Sequence, residues 1–335
     1  MLNCLPAGRQ VTLLFFMHNK IKTIFAGTPE FAVPYLQALL ADSHFNIIGI
    51  LTQPDKPSGR KQELTPSPIK TLGLQNNIRI FQPESLKNNR QLIDEMAALT
   101  PDLLIVVAYG QIIPQAILDI SKYGNINVHP SLLPLYRGAS PIQSAILNGE
   151  QETGVTIMLM DEKMDHGPIL NQIKYPLTGE ETNESLHQEL AKIGVPLLLQ
   201  TITDFLGGQL TPIEQDHNQA TFCKSISKED AKIDWSQPAK IIRRKIYAFY
   251  PWPATWTSYN GKRLKIFPPV EIKKLTNQEN NSSRVGAASI QDNSLLILCG
   301  EDSLIIKRLQ LEGKKEMLAE DFIRGNREIN GAVLN

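Results

Sequence analysis

Asn127, His129 and Asp165 are the residues of this chain whose types and spacing best suit group transfer. Asn127 and His129 stand two apart in the stretch Asn125-Ile126-Asn127-Val128-His129. Strand alternation therefore points both to one side, and an amide and an imidazole can converge on one small substrate group. The segment Met160-Asp161-Glu162-Lys163-Met164-Asp165-His166-Gly167 leaves a second apolar run and is expected to add Asp165 at the same sheet edge. The amide can donate to a developing oxyanion, the imidazole can move a proton or add positive charge, and the carboxylate can orient that ring. Ser131 lacks the GxSxG elbow of a serine nucleophile, and no cysteine lies nearby in sequence. The set suits direct attack of a substrate amine on an acyl carbon. His166 reads as a solvated loop histidine outside it.

Such residues need strands that end together. From Lys20 to about Gln200, short apolar runs alternate with helical periodicity, which predicts an α/β, doubly wound, Rossmann-like domain with a parallel sheet. Strands are expected at Ile21 to Ala26, Phe45 to Leu51, Ile78 to Phe81, Leu103 to Ala108, Ile126 to Val128 and Val155 to Met160. Thr28 suits a helix N-cap, with Pro29 at the first helical position. Only Gly27 stands where a dinucleotide fingerprint needs three glycines, so no nicotinamide cofactor is expected. A helix over 182–206 ends at Gly207-Gly208, and the polar residues Gln209 to Gln219 read as a crossing between domains. Beyond it come one helix, about Pro238 to Phe249, and short strands near Arg263 to Phe267, Val285 to Ile290, Leu295 to Leu298 and Leu304 to Leu311. These predict a smaller, OB-like β-barrel. The expected division is an N-terminal extension 1–19, a catalytic domain 20–206, a linker 207–221 and a C-terminal domain 222–335.

The formal net charge is +0, but it is segregated. Before residue 207 there are 15 Lys plus Arg against 19 Asp plus Glu; from 207 onward there are 19 against 15. The difference places a polyanionic partner, if any, on the second half. Cys4, Cys223 and Cys299 have neither zinc-site nor disulfide spacing, so no metal is expected and a reducing, cytoplasmic setting fits. The apolar run Val11 to Met17 is too short to span a bilayer and no small-residue cleavage site follows it. A start at Met17 is expected instead, with no membrane association.

Asn127-Val128-His129-Pro130-Ser131-Leu132-Leu133-Pro134, with Asp165 downstream, resembles the signature of the folate-dependent formyltransferases. Within that family the likeness is to the branch that acts on methionyl-tRNA. It runs through Phe25-Ala26-Gly27-Thr28-Pro29-Glu30, Thr52-Gln53-Pro54-Asp55-Lys56-Pro57-Ser58-Gly59-Arg60, Tyr136-Arg137-Gly138-Ala139-Ser140-Pro141 and Phe249-Tyr250-Pro251-Trp252-Pro253-Ala254, covering about residues 20 to 326. The resemblance implies 10-formyltetrahydrofolate as co-substrate and methionylated initiator tRNA as partner. It implies catalytic roles for Asn127, His129 and Asp165, and a folate pocket lined by Ser131, Leu132, Leu133 and Pro134. It also implies that Arg60, beside Lys61 in the long loop Gln53 to Pro68, enters the tRNA acceptor stem, where a planar guanidinium suits phosphate or base edges. The sequence departs from the family in Lys61-Gln62-Glu63 and in His166-Gly167. In the second domain Lys240, Arg243, Arg244 and Lys245, with Lys262, Arg263 and Lys265, are expected to meet the tRNA backbone. Trp252 and Trp256 are expected in packing. A monomer is expected. The alternatives are a formyltransferase acting on glycinamide ribonucleotide or a nucleotide sugar, a formyl-folate hydrolase, and a non-catalytic tRNA-binding module.

Overall fold

The computed structural model describes residues 20–58, 63–275 and 284–335, and its contacts divide the chain into two compact units. The first holds residues up to Ala139, Thr153–Tyr175 and His187–Cys223; the second holds Ser140–Glu152, Pro176–Leu186 and Lys224–Asn335. Stretches 140–152 and 176–186 thus group with the C-terminal unit, and the stretch 207–221, largely exposed, groups with the first unit. Ile213 bridges Ile169 there, and Gln215 is buried. The expected extension 1–19, with its proposed start at Met17, lies outside the described residues.

In the first unit, strands β1 (Ile21–Gly27) and β2 (Phe45–Leu51) are followed by a small antiparallel ladder of β3 (Lys56–Ser58) and β4 (Glu63–Thr65). Then come β5 (Ile80–Phe81), β6 (Leu103–Val107), β7 (Asn125–His129), β8 (Arg137–Gly138), β9 (Glu152–Leu159), β10 (Ile169–Pro176) and β11 (Phe222–Cys223). The main sheet has the order β10-β9-β7-β6-β1-β2-β5. β5, β2, β1, β6 and β7 run parallel; β6 is apolar and buried throughout, and β1 is buried from Thr23 to Gly27, because helices cover both faces. On one face Ile24, Ala26, Leu104 and Val106 pack with Leu92 and Met96 of the helix Arg90–Ala97. The long helix Asn183–Leu206 approaches closely enough that a Cβ on Gly194 would stand 2.1 Å from the Tyr35 hydroxyl.

Two expectations change. β9 runs antiparallel to β7, pairing Ile126 with Leu159 and His129 with Thr156, so the segment after β9 leaves from the amino end of β7 and not from its carboxyl edge. A run of apolar residues carries no direction, which is why the sequence pattern read as parallel. Thr28 is not an N-cap: its hydroxyl donates to the Tyr109 carbonyl at 2.9 Å, tying the end of β1 to the loop after β6, and Pro29 caps a short 3-10 turn.

The second unit carries an antiparallel sheet in the order β12 (Trp256–Tyr259), β13 (Lys262–Lys273), β16 (Ser303–Leu311), β15 (Ser294–Leu298) and β14 (Ala288–Gln291), with β17 (Met317–Leu318) paired to β16. The sheet curls into a half-barrel. Leu334 and Asn335 bond across to Gly286 and Ser258, beside its two outer strands. The helices Pro141–Asn148 and Ala239–Ala248 pack on one another, with Ile142, Ala145 and Ile146 of the first and Ile242 and Ile246 of the second buried. Among the described residues no helix is long and apolar enough to cross a membrane.

Candidate active site

Asn127 and His129 project from one face of β7, and both are almost fully buried. Asn127 is the register partner of Val106 and Met158, so it lies on the face that β6 and β9 share with it. The loop after β9 starts at the far end of that face, where the Met160 amide donates to the Asn125 carbonyl, and returns across it. It turns at Asp165, whose φ of 50° lies in the left-handed region that a non-glycine residue rarely occupies. That turn aims the carboxylate back at the strand. Asn127 Nδ2 donates to Asp165 Oδ1 at 3.3 Å, His129 Nδ1 stands 3.5 Å from the same oxygen, and the Gly138 amide donates to Oδ2 at 2.8 Å. The three residues are thus brought together, but by a loop folded over the sheet face.

The other imidazole nitrogen defines the tautomer. His129 Nε2 stands 2.9 Å from the Tyr136 carbonyl, which can only accept, so Nε2 carries hydrogen. Nδ1 is the nitrogen free for chemistry. Asn127 has a second amide hydrogen beyond the one given to Asp165.

The Ser131 to Pro134 segment is bound down at several points. Ser131 Oγ donates to the Leu135 carbonyl at 2.7 Å, and Thr156 Oγ1 donates to the Ser131 carbonyl at 2.6 Å while accepting from the Leu133 amide at 3.1 Å. Gln172 Nε2 donates to the Leu133 carbonyl and to Thr156 Oγ1. Ser131 and Leu133 are buried, Leu132 and Pro134 half-buried, and Leu135 is exposed. β6 and β7 are parallel neighbours, so this segment and the loop 108–113 leave the same sheet edge. Ala108 and Gly110 are exposed there, in the same loop as exposed Ile112.

The residues expected to meet tRNA differ among themselves. Arg60 and Lys61 lie outside the described residues. Arg243 is turned inward: it pairs with Glu180 at 2.6 Å, donates to the Gly179 and Val270 carbonyls and stacks on Tyr247 at 4.3 Å. Arg244 donates to the Asn148 carbonyl at the carboxyl end of the helix Pro141–Asn148, a place where a cation offsets the helix dipole. Lys245 donates to the Lys232 carbonyl at 2.5 Å, and burial pulls its pKa below the usual lysine range against the opposing pull of Asp230 and Asp234. Lys240, Lys262 and Arg263 are exposed, and the Arg263 guanidinium lies 4.1 Å from the Trp256 ring centre. Trp252 is exposed as well, contrary to the packing role expected of it. Among the described residues no group of three or more His, Cys, Asp and Glu is placed to hold a metal.

Residues 19–202 match the family described as formyl transferase, and residues 225–327 match its C-terminal domain. The methionyl-tRNA formyltransferase of Pseudoalteromonas translucida (strain TAC 125) is 43% identical over 309 residues, 92% of this chain and 95% of the relative. That of Hydrogenovibrio crunogenus (strain DSM 25203 / XCL-2) is 40% identical over 318 residues, 95% of this chain and 100% of the relative. The chain belongs to the methionyl-tRNA formyltransferase family. Its fold recurs in WlaRD, a sugar 3N-formyl transferase, with a TM-score of 0.61 and 22% identity over 89% of this chain and 100% of that one. It recurs also in HypX from Aquifex aeolicus in complex with tetrahydrofolic acid, with a TM-score of 0.59 and 18% identity over 93% of this chain and 48% of that one.

Around this formyltransferase site stand residues that sequence reasoning left out. Arg137, 3% exposed, donates through Nε and Nη2 to Gln215 Oε1 at 3.2 and 2.6 Å, and through Nη2 to His217 Nδ1 at 2.9 Å. Burial draws the Arg137 guanidinium below its usual pKa, while Asp165 and Asp161 push the other way. His166 is no freely solvated loop residue: it pairs with Asp161 at 2.6 Å and stacks on His217 with ring centres 4.0 Å apart. Arg137 lay inside a quoted motif and carried a usable signal, a charge in an otherwise apolar turn. Gln215 had none.

Proposed function

We propose that this chain transfers the formyl group of 10-formyltetrahydrofolate to the α-amino group of methionyl-tRNA, and that the initiator is the tRNA it takes. What carries the reading is the meeting of Asn127, His129 and Asp165 at one buried point in a member of this family. The folate fits the site's edge. Exposed Ala108 and Gly110, with apolar Ile112 in the same loop and Leu135 in the segment that leaves the same sheet edge, would offer polar and apolar partners together, as a flat heterocycle with donors along its rim requires. Ser131, Leu132, Leu133 and Pro134 would line it, held rigid through Thr156 and Gln172.

When bound, the folate supplies an activated formyl carbon. Asn127 turns its spare amide hydrogen to the oxygen that becomes negative as the methionine amine attacks; one preorganised donor of this kind is worth roughly 3 to 4 kcal/mol. His129 receives the amine proton at Nδ1, because Nε2 is committed to the Tyr136 carbonyl. Asp165 then faces the imidazolium it has helped to create, 3.5 Å from Nδ1. As the oxyanion collapses, the bond from the formyl carbon to the folate nitrogen breaks, and that nitrogen leaves with the proton His129 took up. For the tRNA, exposed Lys240, Lys262 and Arg263 are the contacts we favour in the second unit, with Arg60 and Lys61 from the long loop. A cytoplasmic setting accords with these substrates.

Purified protein given 10-formyltetrahydrofolate and methionylated initiator tRNA is expected to yield an acid-stable formyl adduct on methionine. Elongator methionyl-tRNA and an amino sugar nucleotide serve as comparisons. Absence of the adduct, or faster formylation of the sugar, would refute the reading.

A further inference from the structure

Asp165 reaches Asn127 and His129 from a backbone held in a left-handed turn, a conformation that is unfavourable for a non-glycine residue and needs support from its surroundings. The support comes from Gln215, 5% exposed. Its Nε2 donates to the Asp165 carbonyl at 3.0 Å and to the Gly167 carbonyl at 2.7 Å, bracketing the turn from both sides. Its Oε1 accepts both Arg137 bonds. Every hydrogen-bonding atom of the Gln215 amide is therefore committed, and its orientation is fixed, since a flipped amide would face carbonyls with an oxygen and a guanidinium with hydrogens. Arg137 also lies between Tyr136 and Gly138, whose carbonyl and amide bind His129 Nε2 and Asp165 Oδ2. One buried amide thus links the turn that bears the carboxylate to the turn that orients the imidazole.

We infer that Gln215 is a positioning residue for formyl transfer, locking Asp165 in the left-handed turn that sets its carboxylate against Asn127 and His129. This rests on the reading of Asp165 proposed above. The residue acts through Asp165 and touches no substrate.

Gln215→Glu is the sharpest perturbation, because it keeps the acceptor that Arg137 needs and removes both donors to the turn. Turnover is expected to fall at least tenfold, with KM for formyl-folate and for methionyl-tRNA within about twofold of the wild type. The same substitution in an Asp165→Ala background is expected to change turnover less than twofold, since a residue that acts through another has nothing left to position. Gln215→Ala, measured alongside, is expected to show the same loss of turnover. Thermal unfolding of each variant reports the folded fraction to which turnover is normalised. A normalised turnover within twofold of wild type in Gln215→Glu would overturn the inference, as would equal losses with and without Asp165. If Asp165→Ala itself were fully active while the wild type formylates methionyl-tRNA, the role given to Asp165 would fail first and take this one with it.

Discussion

Replacing Asn127 with alanine separates chemistry from stability. The side chain makes one observed bond, to Asp165 Oδ1 at 3.3 Å, near the long end of the range for an N–H donor. Losing such a bond costs about 1 kcal/mol of stability. Asp165 keeps the Gly138 amide on its other oxygen, so its charge is not left bare. In the transition state the same amide is asked for about 3 to 4 kcal/mol, which at 1.36 kcal/mol per decade is a loss of the order of a hundredfold to a thousandfold in turnover. Asn127→Asp, which keeps the shape but replaces the donor with a carboxylate close to Asp165, is expected to lose as much. Turnover is read from formylmethionyl-tRNA formed under saturating folate, beside thermal unfolding of the same preparations. Asn127→Ala that is folded and retains more than a tenth of wild-type turnover would show that no oxyanion rests on this amide.

Further outcomes can be stated. Gly138→Ala is expected to lower stability by about 2 kcal/mol or more and to reduce turnover with it, because φ is 118° there and a Cβ would stand 2.2 Å from the Cys223 carbonyl; an unchanged thermal midpoint would contradict that geometry. Lys262→Ala and Arg263→Ala are expected to raise KM for tRNA and each to lower the salt slope of tRNA binding by about 1, with unfolding unaffected. Arg244→Ala is expected to lower the thermal midpoint instead, by an amount corresponding to roughly 0.5 to 1 kcal/mol, since it caps a helix end. The reverse pattern in binding and unfolding assays would reassign these cations. The Ser227 hydroxyl and amide, then Lys224, hold the Asp230 carboxyl at about 2, below its ordinary 3.8. A depressed carboxylate stabilises the fold above its unfolded pKa and loses that contribution as pH falls through the folded value. The difference in thermal midpoint between wild type and Asp230→Asn is therefore expected to be full above about pH 4 and to shrink toward pH 2.

The parallel strands were legible because two-sided burial leaves continuous apolar runs, as in Leu103 to Val107. β10 was not, since an edge strand carrying Asn171, Gln172 and Lys174 buries only Leu170 and half-buries alternate positions beyond it. The types and spacing of Asn127 and His129 could be read from alternation alone. The path of Asp165 could not, because it depends on an antiparallel strand and a left-handed turn that no local pattern encodes. Arg243, Arg244 and Lys245 show the limit of counting charge: the count is right, but in two of them backbone carbonyls take up the donors, and Arg243 divides its own between carbonyls and Glu180. Gln215 hid in a polar stretch, where a buried amide and a solvated one look alike.

The grouping of residues 140–152 and 176–186 with the C-terminal unit bears on how this gene could be recombined. A crossover at residue 206 looks natural from the order of strands and helices, yet it would pair the helix Pro141–Asn148 of one parent with the helix Ala239–Ala248 of another. Ile142 and Ile146 would meet a foreign surface in place of Ile242 and Ile246, and the final turn would lose the particular Arg244 that lies against Gly149. Chimeras between relatives should succeed when residues 140–152, 176–186 and 224–335 travel together, so the unit that exchanges intact is an interleaved set of segments and not the second of two consecutive cassettes.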